Sequence, residues 1–283
     1  MNTSNYLLLN RVFSRNTFKE LIKENTEETY ATAIKRYIND SEDKNNRQLI
    51  SEFYQKLENN YRNEYFYKNT LLNKLLLGVH SPKTTTALTE IPVSKSKADF
   101  ILINGKAIVY EIKTELDNFD RLESQLNDYY KAFNHVSVVT CESNYQAVNK
   151  KLSDTPVGLY LLTVRNSLSQ KRKPTEDNSY LDLNVIFKIL RKSEYEAILL
   201  AHYGQLPNVS QFNYYSTCRQ MFCQMDTPVA YKLFLKELKK RNYLDIDLYA
   251  NVPYELKFLT YFLNLKKIDF KNLNMFLESR FGR

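Results

Sequence analysis

The stretch Lys97–Lys113, KADFILINGKAIVYEIK, constrains this chain more than any other. Two apolar runs flank Asn104-Gly105, and Asn-Gly between such runs is the strongest short-range signal for a β-hairpin. The first run opens with Asp99 and the second closes with Glu111-Ile112-Lys113. Side chains alternate across a strand, so Glu111 and Lys113 share one face while Ile112 turns to the other. Whether Asp99 joins them depends on the turn. A strict two-residue turn pairs Ile103 with Lys106, sets Asp99 opposite Tyr110 and points it away from Glu111. A three-residue turn of Ile103-Asn104-Gly105, with Gly105 left-handed in a bulge, pairs Leu102 with Lys106 and returns Asp99 to the face of Glu111 and Lys113. Carboxylates gathered there offer hard oxygen ligands to a divalent cation, and Ile112 adds its main-chain carbonyl. Lys113 is no metal ligand, but a lysine holds a phosphate or orients a water.

Asp99, a hairpin and Glu111-x-Lys113 resemble the PD-(D/E)xK nuclease signature, with Ala98 where the namesake motif has proline. Downstream, Gln125-Leu126-Asn127-Asp128-Tyr129 is similar to the QxxxY motif of RecB-like members. With Lys97, Tyr110, Asp117 and Arg121-Leu122, the pattern looks most like a bacterial branch of that superfamily, common in genomes and mobile elements. The similarity is sharp from Glu90 to Val139 and vague elsewhere. It implies an α/β, restriction-endonuclease-like core with a mixed sheet in the order α-β-β-β-α-β. It also implies Mg²⁺ or Mn²⁺ as cofactor and hydrolysis of nucleic-acid phosphodiesters, with DNA as the expected substrate. Asp99 and Glu111 take the metal-ligand roles, and Lys113 aligns the water or neutralises the phosphate. Sites of this kind often carry a third acid. Glu90, on the preceding strand, and Glu64, on the preceding helix, are the two candidates. Gln125 and Tyr129 are expected to touch nucleic acid or the metal's surroundings. Arg121 lies on their helical stripe, where it can reach a phosphate, and Asp117 reads as a helix cap.

Elsewhere the apolar periodicity predicts helices over Thr17–Lys23, Glu27–Ile38, Arg47–Leu57 and about Tyr61–Leu77. Thr84–Val93 reads as the first strand, Asp117–Phe133 as a helix, and His135–Cys141 and Val157–Arg165 as later strands. A strand, a helix and a strand imply a parallel pair with a right-handed crossover. Ser169–Ser179 reads as a polar, flexible boundary, and the chain from Leu181 onward as helical. Three parts follow: a helical N-terminal extension over 1–60, a nuclease-like core over 61–169 and a helical C-terminal region over 180–283.

Forty Lys and Arg against 32 Asp and Glu leave a net charge of +8, which suits a polyanionic partner. Lys171, Arg172 and Lys173 are candidates to track its backbone. Three irregularly spaced cysteines make no disulfide framework, so a reducing, cytoplasmic setting is expected. No apolar run approaches ~20 residues, so no membrane partner is expected. The three histidines have no metal-site spacing, and five glycines form no phosphate loop. The helical extensions leave room for a protein partner. The alternative function is a catalytically inactive, nuclease-like module that binds DNA or protein.

Overall fold

A computed structural model describes residues 6–24, 28–241 and 244–281; the predicted helix start at Glu27 lies outside them. The chain divides into two compact units, Met1–Pro82 with Tyr243–Arg283, and Lys83–Asn242.

The first unit opens with α1 (Leu7–Val12), α2 (Arg15–Glu24), α3 (Glu28–Tyr37), α4 (Asn46–Asn60) and α5 (Glu64–Leu71), which continues through a π-helical turn over Leu72–Leu77. Helix α4 begins where Asn45 and Gln48 cap each other's main-chain N–H, satisfying two orphan donors. Its buried stripe is Leu49, Ile50, Phe53, Tyr54 and Leu57.

The second unit holds a six-stranded mixed sheet with its strands in chain order: β1 (Thr86–Val93), β2 (Ser96–Asn104), β3 (Lys106–Lys113), β4 (Val136–Cys141), β5 (Gly158–Leu162) and β6 (Leu168–Arg172). β3, β4 and β5 run parallel, and the remaining neighbours are antiparallel. Helices α6 (Leu122–Tyr130) and α7 (Tyr145–Lys151) link the parallel strands. Then come α8 (Leu183–Ile189), α9 (Lys192–Tyr203), α10 (Gln211–Cys223) and α11 (Thr227–Lys239). Leu88, Ile101, Val109, Val138 and Leu159 from the sheet form one core with Leu122 and Leu126 of α6 and with Phe187, Ile198, Phe222 and Phe234 from the later helices.

The chain returns to the first unit with α12 (Ile246–Ala250), α13 (Lys257–Phe262) and α14 (Lys267–Glu278). Buried amides fasten this return. Asn46 Nδ2 donates to the carbonyls of Phe276 (2.9 Å) and Ser279 (3.0 Å). Asn69 donates to the carbonyl of Tyr254 (3.0 Å) and accepts from the N–H of Phe258 (3.0 Å). Among the described residues, no helix is long and apolar enough to cross a membrane. All three cysteines are free thiols.

The molecule is therefore a mixed α/β protein, with four departures from the expected layout. The units cut across the predicted boundaries: 61–82 belongs with the N-terminal helices, and α8–α11 belong with the sheet. Residues 168–172 are a strand, not a flexible boundary, because they pair antiparallel with β5. Helix α6 starts at Leu122; Asp117 instead closes a turn, accepting from Thr114 N (2.8 Å) and Oγ1 (2.7 Å). The hairpin pairs Asn104 with Lys106 and Leu102 with Ile108, not Leu102 with Lys106. Gly105, at φ +72°, turns the chain alone. The parity is nonetheless the one that keeps Asp99 on the face of Glu111.

Glu194 ties α9 to the end of α11. Its carboxylate accepts from Arg241 Nε (2.7 Å) and Nη2 (2.6 Å) and from the main-chain N–H of Arg191 (2.7 Å). Burial works against the charge, but the Arg241 hydrogen bonds, the Arg191 N–H and the two guanidinium charges outweigh it, so the folded pKa lies below the ordinary value. The stabilisation is thus complete above the unfolded glutamate pKa of ~4.3 and is lost as pH falls through the lower folded value. Glu194→Gln is expected to cost about 3 kcal/mol at pH 7. In chemical denaturation repeated at falling pH, the gap to the unsubstituted chain should narrow once the pH is below ~4.

Candidate active site

Three carboxylates line up across three strands. On β1, Glu90 falls between the pairs Thr89–Phe100 and Ile91–Ala98, which sets it opposite Asp99. Continuing the β2–β3 register one step beyond Phe100–Tyr110 sets Asp99 opposite Glu111. The strand regularity gives way where the acids meet. Glu90 adopts φ +57°, and Thr89 Oγ1 donates to the Asp99 carbonyl at 2.7 Å. The Asp99 side chain takes over a main-chain role, its Oδ2 accepting the N–H of Ile112 at 2.8 Å.

Glu111 is the deepest of the three, at 1% exposure. Its Oε1 pairs with Lys113 Nζ at 2.8 Å, and its Oε2 accepts from the Tyr129 hydroxyl at 2.6 Å. Lys113, 7% exposed, also donates to Gln125 Oε1 at 2.9 Å. The Tyr129 hydroxyl lies 2.8 Å from the Lys97 carbonyl as well. Burial, reinforced by the charge and hydrogen bond of Glu111 and by the charge of Asp99, pushes the Tyr129 phenol far above its ordinary range. It therefore stays protonated and donates. Gln125 and Tyr129 are one helical turn apart on α6, so both side chains reach the end of β3.

Arg121 is exposed at the N-cap of α6, one turn before Gln125. Glu64 sits in the first turn of α5, in the first unit, ion-paired with Lys68. Arg172 does not present a free guanidinium to a backbone: it donates to the Leu152 carbonyl and, at 2.8 Å, to Asn149 Oδ1, bracing the end of α7. Lys171 and Lys173 beside it are exposed. Three contributors were not anticipated. Lys97 Nζ pairs with Glu90 Oε2 at 3.0 Å. Thr140 Oγ1 donates to the Lys113 carbonyl at 3.0 Å, and Asn144 Nδ2 to the Thr114 carbonyl at 2.8 Å, fixing the strand end from the side of β4. Only a predicted register for β3 and β4 would have pointed to Thr140, which pairs with Lys113.

The donor set fits a small hard cation. Glu90 and Asp99 each bring a carboxylate oxygen within 4.8 Å of the other. A residue in an antiparallel ladder points its N–H and C=O to the same side. The Ile112 carbonyl therefore follows its N–H toward Asp99. Carboxylate and carbonyl oxygens suit Mg²⁺ or Mn²⁺. Both Glu111 oxygens already carry a donor, which assigns it first to Lys113 and Tyr129. Tyr129→Phe strips Oε2 of that donor in a buried site. It should lower stability by about 1.5–3 kcal/mol, read from the shift in the denaturant midpoint.

A family model described as bacteriophage P4 protein cII matches residues 57–250, a span that contains the whole sheet and the acid row. No curated protein matches the chain. A solved structure of a protein of unknown function from Silicibacter pomeroyi is similar at 12% identity, covering 45% of this chain and 87% of its own, with a TM-score of 0.29. A likeness that weak has no bearing on the fold or the chemistry.

Proposed function

We propose that this chain, which belongs to the bacteriophage P4 protein cII family, is a metal-dependent nuclease with a restriction-endonuclease-like core, hydrolysing phosphodiester bonds in DNA. One observation carries the reading. Asp99 lies between Glu90 on β1 and Glu111 on β3 at the end of the β2–β3 hairpin, and Lys113 is ion-paired with Glu111.

Asp99, Glu90 and the Ile112 carbonyl are the groups that would hold Mg²⁺ or Mn²⁺, with Glu111 beside them. Such a cation, when bound, acidifies a coordinated water and stabilises charge on the phosphate and the leaving oxygen. The protein's own contribution is positioning. Tyr129 holds one oxygen of Glu111 and Lys113 holds the other, so the carboxylate keeps a single orientation. Gln125 fixes the Lys113 ammonium, from where it orients an attacking water or neutralises phosphate charge. Lys97, Arg121, Lys171 and Lys173 are exposed cations that suit backbone phosphates, in a chain whose net charge is +8.

The closed network around Glu111 also supports a second reading, a module that grips nucleic acid without cutting it. Both oxygens of that carboxylate are engaged within the protein, and Lys113 Nζ is held by Gln125 Oε1, as in a structural ion pair.

The deciding experiment compares the unsubstituted chain with Asp99→Asn, Glu111→Gln and Lys113→Ala on single-stranded and duplex DNA and RNA, with Mg²⁺, Mn²⁺ or EDTA. Glu111→Gln keeps the size of a side chain that is buried and removes its charge. Cleavage should require the metal. It should fall at least ~10²–10³-fold in Asp99→Asn and Glu111→Gln, while affinity, which rests on many Lys and Arg contacts, changes little. Cleavage that persists in EDTA, or undiminished in Asp99→Asn, contradicts the mechanism. Tight binding without cleavage under any metal selects the second reading.

A further inference from the structure

An open cleft of about 720 Å³ lies in the second unit at the tip of the β2–β3 hairpin, the end away from the acid row. Gly105 and Lys106 of the hairpin line it, with Asn134 and His135 just before β4, Glu176 and Asn178 after β6, and one side of α11. Its size is that of a small-ligand site. Lys106 and Lys232 against Glu176 leave 2 − 1 = +1 among the lining residues, with His135 counted neutral. The first turn of α11, which Asp226 leaves without a side-chain cap, adds the positive end of a 13-residue helix. Leu181, Pro228 and Leu235 form an apolar margin.

His135 is the independent sign of a ligand. It is 6% exposed, and its Nδ1 lies 2.9 Å from Asn134 Oδ1. The Asn134 amide has one orientation. Its Nδ2 donates to Asn178 Oδ1 (2.9 Å) and Glu176 Oε1 (3.3 Å), and its Oδ1 accepts from the Tyr231 hydroxyl (2.8 Å). Facing an oxygen, His135 Nδ1 carries the imidazole proton, which leaves Nε2 a bare acceptor. Nε2 has no hydrogen bond among the described residues, and it is not one of the unpaired atoms sealed from solvent, so it is open. In a ring 6% exposed that lines the cleft, that opening is into the cleft. Burial first, then the charge of Lys106 with a smaller part from Lys173, holds His135 below its ordinary pKa against the opposite effect of Glu176. The empty cleft therefore sets an unprotonated acceptor among cations.

We propose that this cleft binds a phosphomonoester in its monoprotonated form. The anionic oxygens would meet Lys106, Lys232 and the start of α11, the phosphate O–H would donate to His135 Nε2, and the organic group would lie along Leu181 and Leu235. The acceptor selects the anion. A phosphomonoester has its second pKa near ~6 and so brings a proton to the site, whereas sulfate brings none. Sulfate would set an oxygen lone pair against Nε2 unless His135 took a proton that its surroundings disfavour. The charged groups facing His135 are Lys106 of β3, Lys173 and Glu176 after β6, and Lys232 of α11. Lysines and glutamates keep their charges between pH 6 and 8, so the proton shared by phosphate and His135 is the one that titrates there.

The test is calorimetric titration of the full chain in EDTA with inorganic phosphate and with sodium sulfate, at matched ionic strength. The expected result is one saturable phosphate site at pH 6, about tenfold or more weaker at pH 8, with sulfate at least about tenfold weaker than phosphate at pH 6. His135→Asn keeps a donor toward Asn134 and removes Nε2. It should weaken phosphate about tenfold and erase the preference over sulfate. Lys232→Gln, at an exposed position, should weaken both anions several-fold and keep the preference. The phosphate and sulfate comparison needs no variant, so the test stands even where His135→Asn does not fold. A 5′-phosphorylated oligodeoxynucleotide that displaces phosphate, where its 5′-hydroxyl form does not, identifies a strand end as the source; displacement by neither identifies a small phosphate ester. No saturable phosphate site, equal affinity for sulfate, or a preference retained in folded His135→Asn would each overturn the assignment.

Discussion

The Glu111–Lys113 pair is the interaction on which the second unit depends. Two charges are held at 1% and 7% exposure, and removing an ion from water costs several kcal/mol even after the protein relaxes. The arrangement survives because each charge is met more than once. Tyr129 and Lys113 cover both oxygens of Glu111, and Gln125 takes a further proton of Lys113. Tyr129 and Gln125 come from α6, so α6 must present both to the end of β3 in one rotation. The same requirement sets the hairpin register, since any odd slip would turn Glu111 to the opposite face. A buried pair of this kind adds little net stability over an apolar substitute, but breaking it is expensive. It defines an arrangement more than it strengthens one.

Asp99 and Glu90 occupy a different position in that economy of contacts. They are half-exposed, they sit at the rim of the sheet, and the backbone around them is irregular. A non-glycine residue held at φ +57° costs roughly 1–3 kcal/mol and persists where its surroundings over-determine it. Asp99 gives up one oxygen to the Ile112 N–H, which orients the other. The strained rim beside a rigid, neutralised interior is the division of labour a cation site needs. The interior fixes geometry, and the rim carries two half-exposed carboxylates.

Much of this was legible in the residues themselves. Asn-Gly between apolar runs marked the hairpin, strand alternation put Glu111 and Lys113 on one face, and the four-residue spacing put Gln125 and Tyr129 on one side of α6. The length of the turn was not legible, because it depends on how far Gly105 alone carries the reversal. Nor was the burial of Glu111, which α6 imposes from outside the strand. Arg172 read as part of a basic patch, since composition does not reveal that a guanidinium is spent on Leu152 and Asn149. Strand β6 was hidden because a polar edge strand such as LSQKR lacks an apolar alternation of its own. The division into units was out of reach for a related reason. It rests on Asn46 and Asn69, whose amides bond main-chain groups 230 and 185 positions away.

The central claim is that Asp99 and Glu90 share a cation at the end of this hairpin. Electron paramagnetic resonance of Mn²⁺ titrated into the protein tests it without reference to catalysis. The account predicts one bound ion per chain, abolished or strongly weakened in Asp99→Asn and weakened in Glu90→Gln, with both variants folded. Stoichiometric binding that is the same in Asp99→Asn, or no stoichiometric binding at all, would contradict it.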